Sequence, residues 1–243
     1  MNNLEHRTLI NEKLGDINGD GLIDRIRIYG DKSLASDLIH NIIIEVEGVP
    51  EDWLKIDMIT ELNGYNPTLF LGDFTKDQRY DILFQLDKMF NSMKASDQGE
   101  YGVFIITFKN NNINTIFASD RYNSEYLFVV EYVDLFKVRI LSKRLNKMFF
   151  LDISDKGFDY LYKYYYADGK LIKPIHGLIL KAEAFIPVVS NKKENFYDLL
   201  AVHRIVGMNE IDTLGYIQNL LSWDGEDFIS IQMMAITTGL KLP

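Results

Sequence analysis

The fold is decided by one polar stretch near the start of the chain, Gly15-Asp16-Ile17-Asn18-Gly19-Asp20-Gly21-Leu22-Ile23-Asp24. Hard cations such as Ca²⁺ take about six to eight oxygen ligands, and a short loop with oxygens at alternating positions can wrap around one ion. The stretch therefore predicts a Ca²⁺ site in a nine-residue loop, with ligands at positions 1, 3, 5, 7 (the backbone carbonyl) and 9: Asp16, Asn18, Asp20, Leu22 and Asp24.

The same residues could also form a polar turn without metal, since Asp, Asn and Gly favour turns. Calcium is the favoured interpretation, because three carboxylates within nine residues repel one another unless a cation lies between them. The loop is not an EF-hand, because position 12 is Arg27 instead of a bidentate Glu. The alternation of polar and apolar residues over 24–29 predicts that a strand follows, not a helix.

A second copy of the pattern begins at residue 73 and again runs into a strand-like segment. Gln78 stands at position 6, where the first loop has Gly21, so an identical backbone would be strained there. This loop is a possible second metal site, with Asp73, Thr75, Asp77 and Asp81 as its ligands.

A third, degraded copy begins at residue 190, with Ser190, Lys192, Glu194 and Asp198 at the ligand positions. A lysine excludes calcium, so we expect Lys192 to pair with Glu194 or Asp198 and to keep the backbone path without metal. The loops begin at 16, 73 and 190, and the second interval is close to twice the first. This spacing predicts a fourth copy near 130 and four repeats of about 58 residues.

The rest of the chain predicts mostly strands. The segment 156–166 is ambiguous, because its aromatic residues alternate as in a strand. A short helix is favoured there, since Ser154 and Asp155 can cap it and Gly169 can end it. The fold class is therefore all-β and mainly antiparallel. We expect one domain over residues 1–243, a small β-propeller-like repeat domain with calcium-loop hairpins. The alternative is a β-sandwich. Strands are predicted at 53–59, 126–132, 136–141, 148–153, 213–223 and 228–238, with a turn at Asp224-Gly225 between the last two.

Composition limits the partners. The 243 residues carry 26 Lys and Arg against 35 Asp and Glu, a net charge of −9, which argues against nucleic acid or an anionic membrane as the main partner. The absence of cysteine excludes disulfides and thiolate zinc sites. No apolar run is long enough for a transmembrane segment. Since the start shows no signal peptide, we expect a cytoplasmic protein, or an extracellular or cell-envelope one if a leader was removed.

The calcium loop that leads into a strand, together with Asn63-Gly64-Tyr65-Asn66-Pro67 and the late Arg204-Ile205-Val206-Gly207, resembles the uncharacterised VCBS/FG-GAP (integrin-like) repeat proteins of Gram-positive bacteria. The resemblance spans most of the chain. It implies calcium ligands in the first two loops, whereas Ser190, Lys192 and Asn195 depart from the pattern in the third. The resemblance gives no enzymatic activity that could be transferred to this chain.

Catalytic motifs are absent from the sequence. The four histidines show no metal-ligand spacing, and there is neither a Gly-x-Ser-x-Gly motif nor a phosphate-binding glycine loop. Two functions remain open. The favoured one is a non-catalytic, calcium-binding β module that interacts with a protein or a glycan. The alternative is a calcium-stabilised hydrolase that acts on carbohydrate or an envelope polymer.

Overall fold

The computed structural model describes residues 7–32, 36–48, 54–56, 62–88, 101–109, 112–191 and 195–237. These residues form two eight-stranded sheets in which neighbouring strands are antiparallel, with short helices between strands. The prediction of an all-β, mainly antiparallel protein with a short helix near 155–166 is confirmed. A propeller-like and a sandwich arrangement are both consistent with this architecture.

The first sheet is built from the first eight strands in the order β1-β2-β3-β5-β6-β7-β8, and β4 also pairs with β3. The sheet curls, so that β1 lies against β5. Its strands are β1 (Thr8–Gly15), β2 (Asp24–Lys32), β3 (Ile39–Glu47), β4 (Leu54–Ile56), β5 (Gly64–Gly72), β6 (Asp81–Lys88), β7 (Tyr101–Lys109) and β8 (Asn112–Ala118).

The second sheet contains the remaining eight strands in the order β11-β10-β9-β12-β14-β15-β16, and β13 also pairs with β14. Its long final hairpin joins β15 and β16 through the predicted turn at Asp224 and Gly225. The strands are β9 (Phe128–Val133), β10 (Lys137–Ser142), β11 (Lys147–Asp152), β12 (His176–Ile179), β13 (Ala184–Val188), β14 (Asp198–Val206), β15 (Thr213–Trp223) and β16 (Phe228–Ile236).

The strands after the first two loops bury the side chains that the alternation predicted. Ile26 and Ile28 of β2 are fully buried, as is Phe84 of β6, and Ile82 is nearly so. In β6, however, Leu83 on the opposite face is buried as well. This strand is covered on both faces, which explains its continuous apolar run.

Two apolar clusters lie on opposite faces of β6 and β7. One lies within the first sheet and includes Phe104 and Ile106. The other takes Val103 and Ile105 from the same strand and combines them with side chains of the second sheet. The largest cluster is therefore shared by both sheets, with members such as Phe74, Leu83, Phe117, Tyr132, Leu199 and Phe228.

The helices differ in detail from the prediction. The segment at 156–166 forms a 3-10 helix, Ser154–Lys156, and a single α-helical turn, α2 (Phe158–Leu161). Gly157 separates them with a φ of +81°, a conformation that interrupts a continuous helix. A helix that the sequence did not predict, α1 (Ser119–Glu125), precedes β9. The strand predicted at 126–132 therefore begins only at Phe128, and Tyr126 lies before it.

Helix α1 places Tyr122 between the two sheets. Its hydroxyl lies 3.0 Å from Nε2 of His203 and accepts a hydrogen bond of 3.0 Å from Nδ2 of Asn219. His203 Nδ1 is 2.9 Å from the Leu180 carbonyl. All three of these polar side chains are buried, and burial lowers the pKa of His203 to about 4.

The prediction of a fourth repeat near residue 130 is wrong. Residues 128–142 form a hairpin of β9 and β10 with a tight turn, in which Leu135 and Phe136 have positive φ values. A nine-residue loop has no room there. The spacing of 117 between the second and third loops therefore does not record a missing copy.

Parts of two predictions lie outside the described residues. Lys192 and Glu194 are outside the described residues, so the ion pair expected in the third loop stays a prediction. Of the strand expected at 53–59, only Leu54–Ile56 is described, and it is a strand. Among the described residues, no helix combines the length and apolar character that crossing a membrane requires.

Candidate functional site: three stacked aspartate loops

The first loop, residues 16–24, is closed by its own polar side chains. Asp16 Oδ1 accepts a hydrogen bond of 2.6 Å from the Gly19 amide, and its Oδ2 accepts one of 2.9 Å from Gly21. Asp20 Oδ1 accepts one of 2.7 Å from Leu22. The carboxylates thus accept hydrogen bonds from backbone amides that have no backbone carbonyl as a partner in the tight turn.

The second loop, residues 73–81, repeats this network. Asp73 Oδ1 accepts a hydrogen bond of 2.6 Å from the Lys76 amide, and its Oδ2 accepts one of 2.9 Å from Gln78. Asp77 Oδ1 accepts one of 3.1 Å from Arg79. Each contact has its counterpart 57 residues earlier, so the two loops are structural repeats, as their spacing predicted.

The two loops also share backbone conformation at positions 4 and 6. Gly19 and Gly21 have φ values of +81° and +83°, and the equivalent Lys76 and Gln78 have +64° and +68°. The strain predicted for Gln78 therefore exists, because a residue with a Cβ is less stable than glycine in the left-handed region by about 1–2 kcal/mol. The hydrogen bonds to Asp73 hold the second loop in this conformation.

The aspartate at position 9 is buried in every loop. Asp24, Asp81 and Asp198 are 0%, 1% and 1% exposed, and each begins a strand. Burial raises the pKa of Asp24, and the nearby charges of Asp20 and Asp16 raise it further. Burial also raises the pKa of Asp81 to about 6, although amide and threonine hydrogen bonds oppose the shift.

The position-9 carboxylates are not equally satisfied. Asp81 Oδ2 accepts two hydrogen bonds of 2.8 Å, from the amides of Phe74 and Thr75, and its Oδ1 contacts the Thr75 hydroxyl. Asp24 Oδ2 accepts one of 2.9 Å from Ile17, whereas its buried Oδ1 has no hydrogen-bond partner among the described residues. In the third loop the Ser190 hydroxyl donates to Asp198 Oδ2, and the buried Oδ1 is again without a described partner.

The loops stack on one another through position 8. The Tyr80 amide of the second loop donates to the Asp16 carbonyl of the first at 3.2 Å, and the Tyr197 amide of the third donates to the Asp73 carbonyl of the second at 2.7 Å. The rings of these tyrosines also pack on the glycine that precedes the neighbouring loop. A Cβ on Gly72 would lie 2.6 Å from the Tyr197 ring. A Cβ on the equivalent Gly15 would lie 2.7 Å from the Tyr80 ring.

Position 7 of the second and third loops packs on position 4 of the preceding loop. The Arg79 side chain covers Gly19 and donates to the Asn18 carbonyl at 3.3 Å. The Phe196 ring lies over Lys76, with the ammonium 4.8 Å from the ring centre. The described residues at the end of the third loop, 195–198, therefore continue the stack in register. We call residues 16–24, 73–81 and 190–198 the loop stack.

Charge is distributed unevenly along the loop stack. Asp77 lies 3.5 Å from the Arg79 guanidinium, whereas no described lysine or arginine forms an ion pair with Asp16, Asp20 or Asp24. Among the residues that the structure describes, no three His, Cys, Asp or Glu side chains are grouped so that they could hold a metal ion. The first loop thus has the donor chemistry for calcium, but its oxygens are directed to backbone amides.

A groove of about 820 Å³ lies where the second and third loops meet. Its lining includes two aromatic residues, Tyr80 and Phe196, and the amide side chains of Gln78 and Asn195. The one carboxylate among the described lining residues, Asp73, is buried and accepts backbone hydrogen bonds with both oxygens.

Fold and loops together define an all-β protein organised around stacked, aspartate-rich hairpin loops. A family model described as the YybI C-terminal domain matches residues 126–236. The uncharacterised protein YybI of Bacillus subtilis (strain 168) is 32% identical over 224 residues, which cover 92% of this chain and 82% of that protein. The chain therefore belongs to the YybI family. No solved structure matches it.

The sequence identified the aspartates of the loop stack but missed the residues that join the loops. Arg79 and Phe196 are residues of different types, so nothing in the sequence indicated that they occupy equivalent positions. The tyrosines were detectable, because Tyr80-Asp81 and Tyr197-Asp198 are the ends by which the second and third loops align. The repeated Leu-Gly-Asp at 14–16 and 71–73 was a further signal, since a glycine beside a ring leaves room for close packing.

Proposed function

We propose that this protein is a non-catalytic β module that binds one Ca²⁺ in its first loop and presents the loop stack to a protein or glycan. The ligands are the side chains of Asp16, Asn18, Asp20 and Asp24 and the carbonyl of Leu22. The proposal rests on the uncompensated charge of this loop. Three carboxylates lie within nine residues without a paired cation among the described residues, and the buried Oδ1 of Asp24 lacks a described partner.

The contrast with the second loop supports this assignment. There, Asp77 is paired with Arg79, and both oxygens of Asp81 are in contact with donors. A cation would gain less in that loop, because its charges are already compensated. We therefore assign the ion to the first loop and treat the second, with Asp73, Thr75, Asp77 and Asp81, as a hydrogen-bonded copy of the same structure.

A binding role is favoured over hydrolysis by the groove at the loop stack. Among the described lining residues the one carboxylate is Asp73, and it is engaged by the amides of Lys76 and Gln78. A general acid or base needs a carboxyl group that can reach the substrate and exchange a proton with it. The calcium-stabilised hydrolase therefore remains the second choice.

The test is a calcium titration of the whole chain, followed by amide NMR and by thermal unfolding. An ion competes with the Gly19 and Gly21 amides for the oxygens of Asp16, so these two amide signals should move. Without a bidentate glutamate, we expect a Kd of roughly 10⁻⁵–10⁻⁴ M. At about 1 mM calcium, such a site adds roughly 1.4–2.7 kcal/mol to the free energy of unfolding.

The variant Asp20→Asn removes one charge but keeps an oxygen for the Leu22 amide, so it should lose most of the calcium response. Asp77→Asn is the matched control in the second loop and should retain the response. Magnesium should have little effect, because it requires near-octahedral geometry at short distances. If calcium moves neither the amide signals nor the unfolding midpoint of the parent, the first loop is a polar turn and the proposal is wrong.

A further inference from the structure

We infer that the groove between the second and third loops binds a short oligosaccharide. The inference rests on the proposed function, because it names the ligand class and the place on the loop stack where that ligand binds. It depends on residues that are not among the proposed calcium ligands. The two proposals can therefore fail separately.

The size of the groove favours a compact ligand. Its volume of about 820 Å³ lies within the range of roughly 300–1,000 Å³ that is usual for small-molecule sites. A stable protein partner would need an extended surface of about 800 Å² on each side. A concave site between two loops is better matched to a few linked sugar rings than to a folded protein.

The described part of the lining is unusually polar for a small-molecule site, since such sites are mostly apolar. Gln78 and Asn195 are exposed, and no described residue hydrogen-bonds their side-chain amides. The Tyr80 hydroxyl is likewise without a described partner. These three groups offer both donors and acceptors, which are the groups that recognise ligands rich in hydroxyls.

Two aromatic rings complete the recognition chemistry. Tyr80 is 46% exposed and Phe196 is half-buried, and both line the groove. Aromatic rings provide apolar faces at a site whose other groups are polar. Sugar rings combine apolar C–H faces with hydroxyl edges, so they match a groove that offers both.

The charged residues that are described in the lining of the groove are already engaged. Lys76 donates to the Ser222 hydroxyl at 2.9 Å and to the Trp223 carbonyl at 2.8 Å. Arg79 donates to the first loop and pairs with Asp77. Neither cation is left as a dedicated anion site. The shared chemistry of the ligand is therefore its hydroxyl-bearing rings, and both neutral and acidic oligosaccharides have to be compared.

The experiment applies the whole protein to a printed array of neutral and acidic oligosaccharides, and the strongest hit is measured by titration calorimetry. The decisive variant is Gln78→Gly. It removes one amide of the groove and relieves the positive φ of +68°, so it should fold at least as stably as the parent. We expect it, and separately Phe196→Ala, to weaken binding of the hit about tenfold, a loss of about 1.4 kcal/mol.

Phe158→Ala is the matched control, because Phe158 is an exposed aromatic residue outside the groove, and it should leave binding unchanged. Titrations in calcium and in EDTA separate the two proposals. A hit that weakens in Gln78→Gly supports the groove whether or not calcium binds. The inference is overturned if the array yields no hit, or if the hit binds Gln78→Gly and Phe196→Ala as tightly as the parent.

Discussion

Replacing Asp81 with asparagine should stabilise the protein at neutral pH and flatten its pH dependence. In the folded protein, burial raises the pKa of this carboxyl from 3.8 to about 6. Between these two values the folded state holds a proton that the unfolded chain has lost, so stability falls as the pH rises through this window. A shift of about two pKa units corresponds to a loss of at most about 3 kcal/mol at pH 7.

The hydrogen bonds around Asp81 allow the substitution. An amide oxygen can accept from the amides of Phe74 and Thr75, as the carboxylate does now. The amide nitrogen would then face the Thr75 hydroxyl, which can accept a hydrogen bond as well as donate one. The neutral side chain keeps these contacts without the cost of a buried charge.

The assay is urea unfolding in EDTA at a series of pH values from about 4 to 8. The difference in free energy of unfolding between Asp81→Asn and the parent should be small near pH 4 and should grow by up to about 3 kcal/mol at pH 7. Asp77→Asn, in the same loop but with an exposed side chain, should show no such growth. A constant difference across the range would refute the assignment of the raised pKa to Asp81.

Two further predictions concern packing and buried polar groups. Gly72→Ala should lower the free energy of unfolding by about 1–3 kcal/mol, because its Cβ would lie 2.6 Å from the Tyr197 ring; a midpoint within error of the parent in chemical unfolding would contradict the stacking of the loops. His203, whose pKa burial lowers to about 4, should stay neutral at pH 5 in NMR spectra of its ring. Since the pKa of His203 is lower in the folded protein than in the unfolded chain, its contribution to stability is present above about pH 6.5 and decreases as the pH falls towards 4. A ring that titrates near pH 6.5 would show that the imidazole is solvated.

Local patterns predicted what depends on neighbouring residues. The hairpin of β15 and β16 was predicted from two strand-like runs on either side of Asp224-Gly225, and β15 has the predicted bounds of Thr213–Trp223. The closure of the first two loops follows from the spacing of their aspartates. Both depend on contacts within a few residues of sequence, where side-chain chemistry limits the backbone directly.

The long-range organisation of the fold was harder to predict from the sequence. Helix α1 has no apolar periodicity, and its one buried aromatic residue, Tyr122, is held by contacts with the second sheet. The repeat spacing suggested a fourth unit, but the first two loops lead into one sheet and the third leads into the other. The groove joins Gln78 to Phe196 across this boundary, and no pattern in the sequence connects them.

The position of Tyr122 bears on how the chain can be divided. Residues 126–236, the part matched by the family model, contain His203 and Asn219 but not the hydroxyl that joins them. A fragment cut at residue 126 would leave two buried polar side chains without that partner and would expose the face that packs on Phe74 and Phe117. We therefore expect that residues 126–236 do not fold stably alone, and that a fragment of this half needs helix α1 as well.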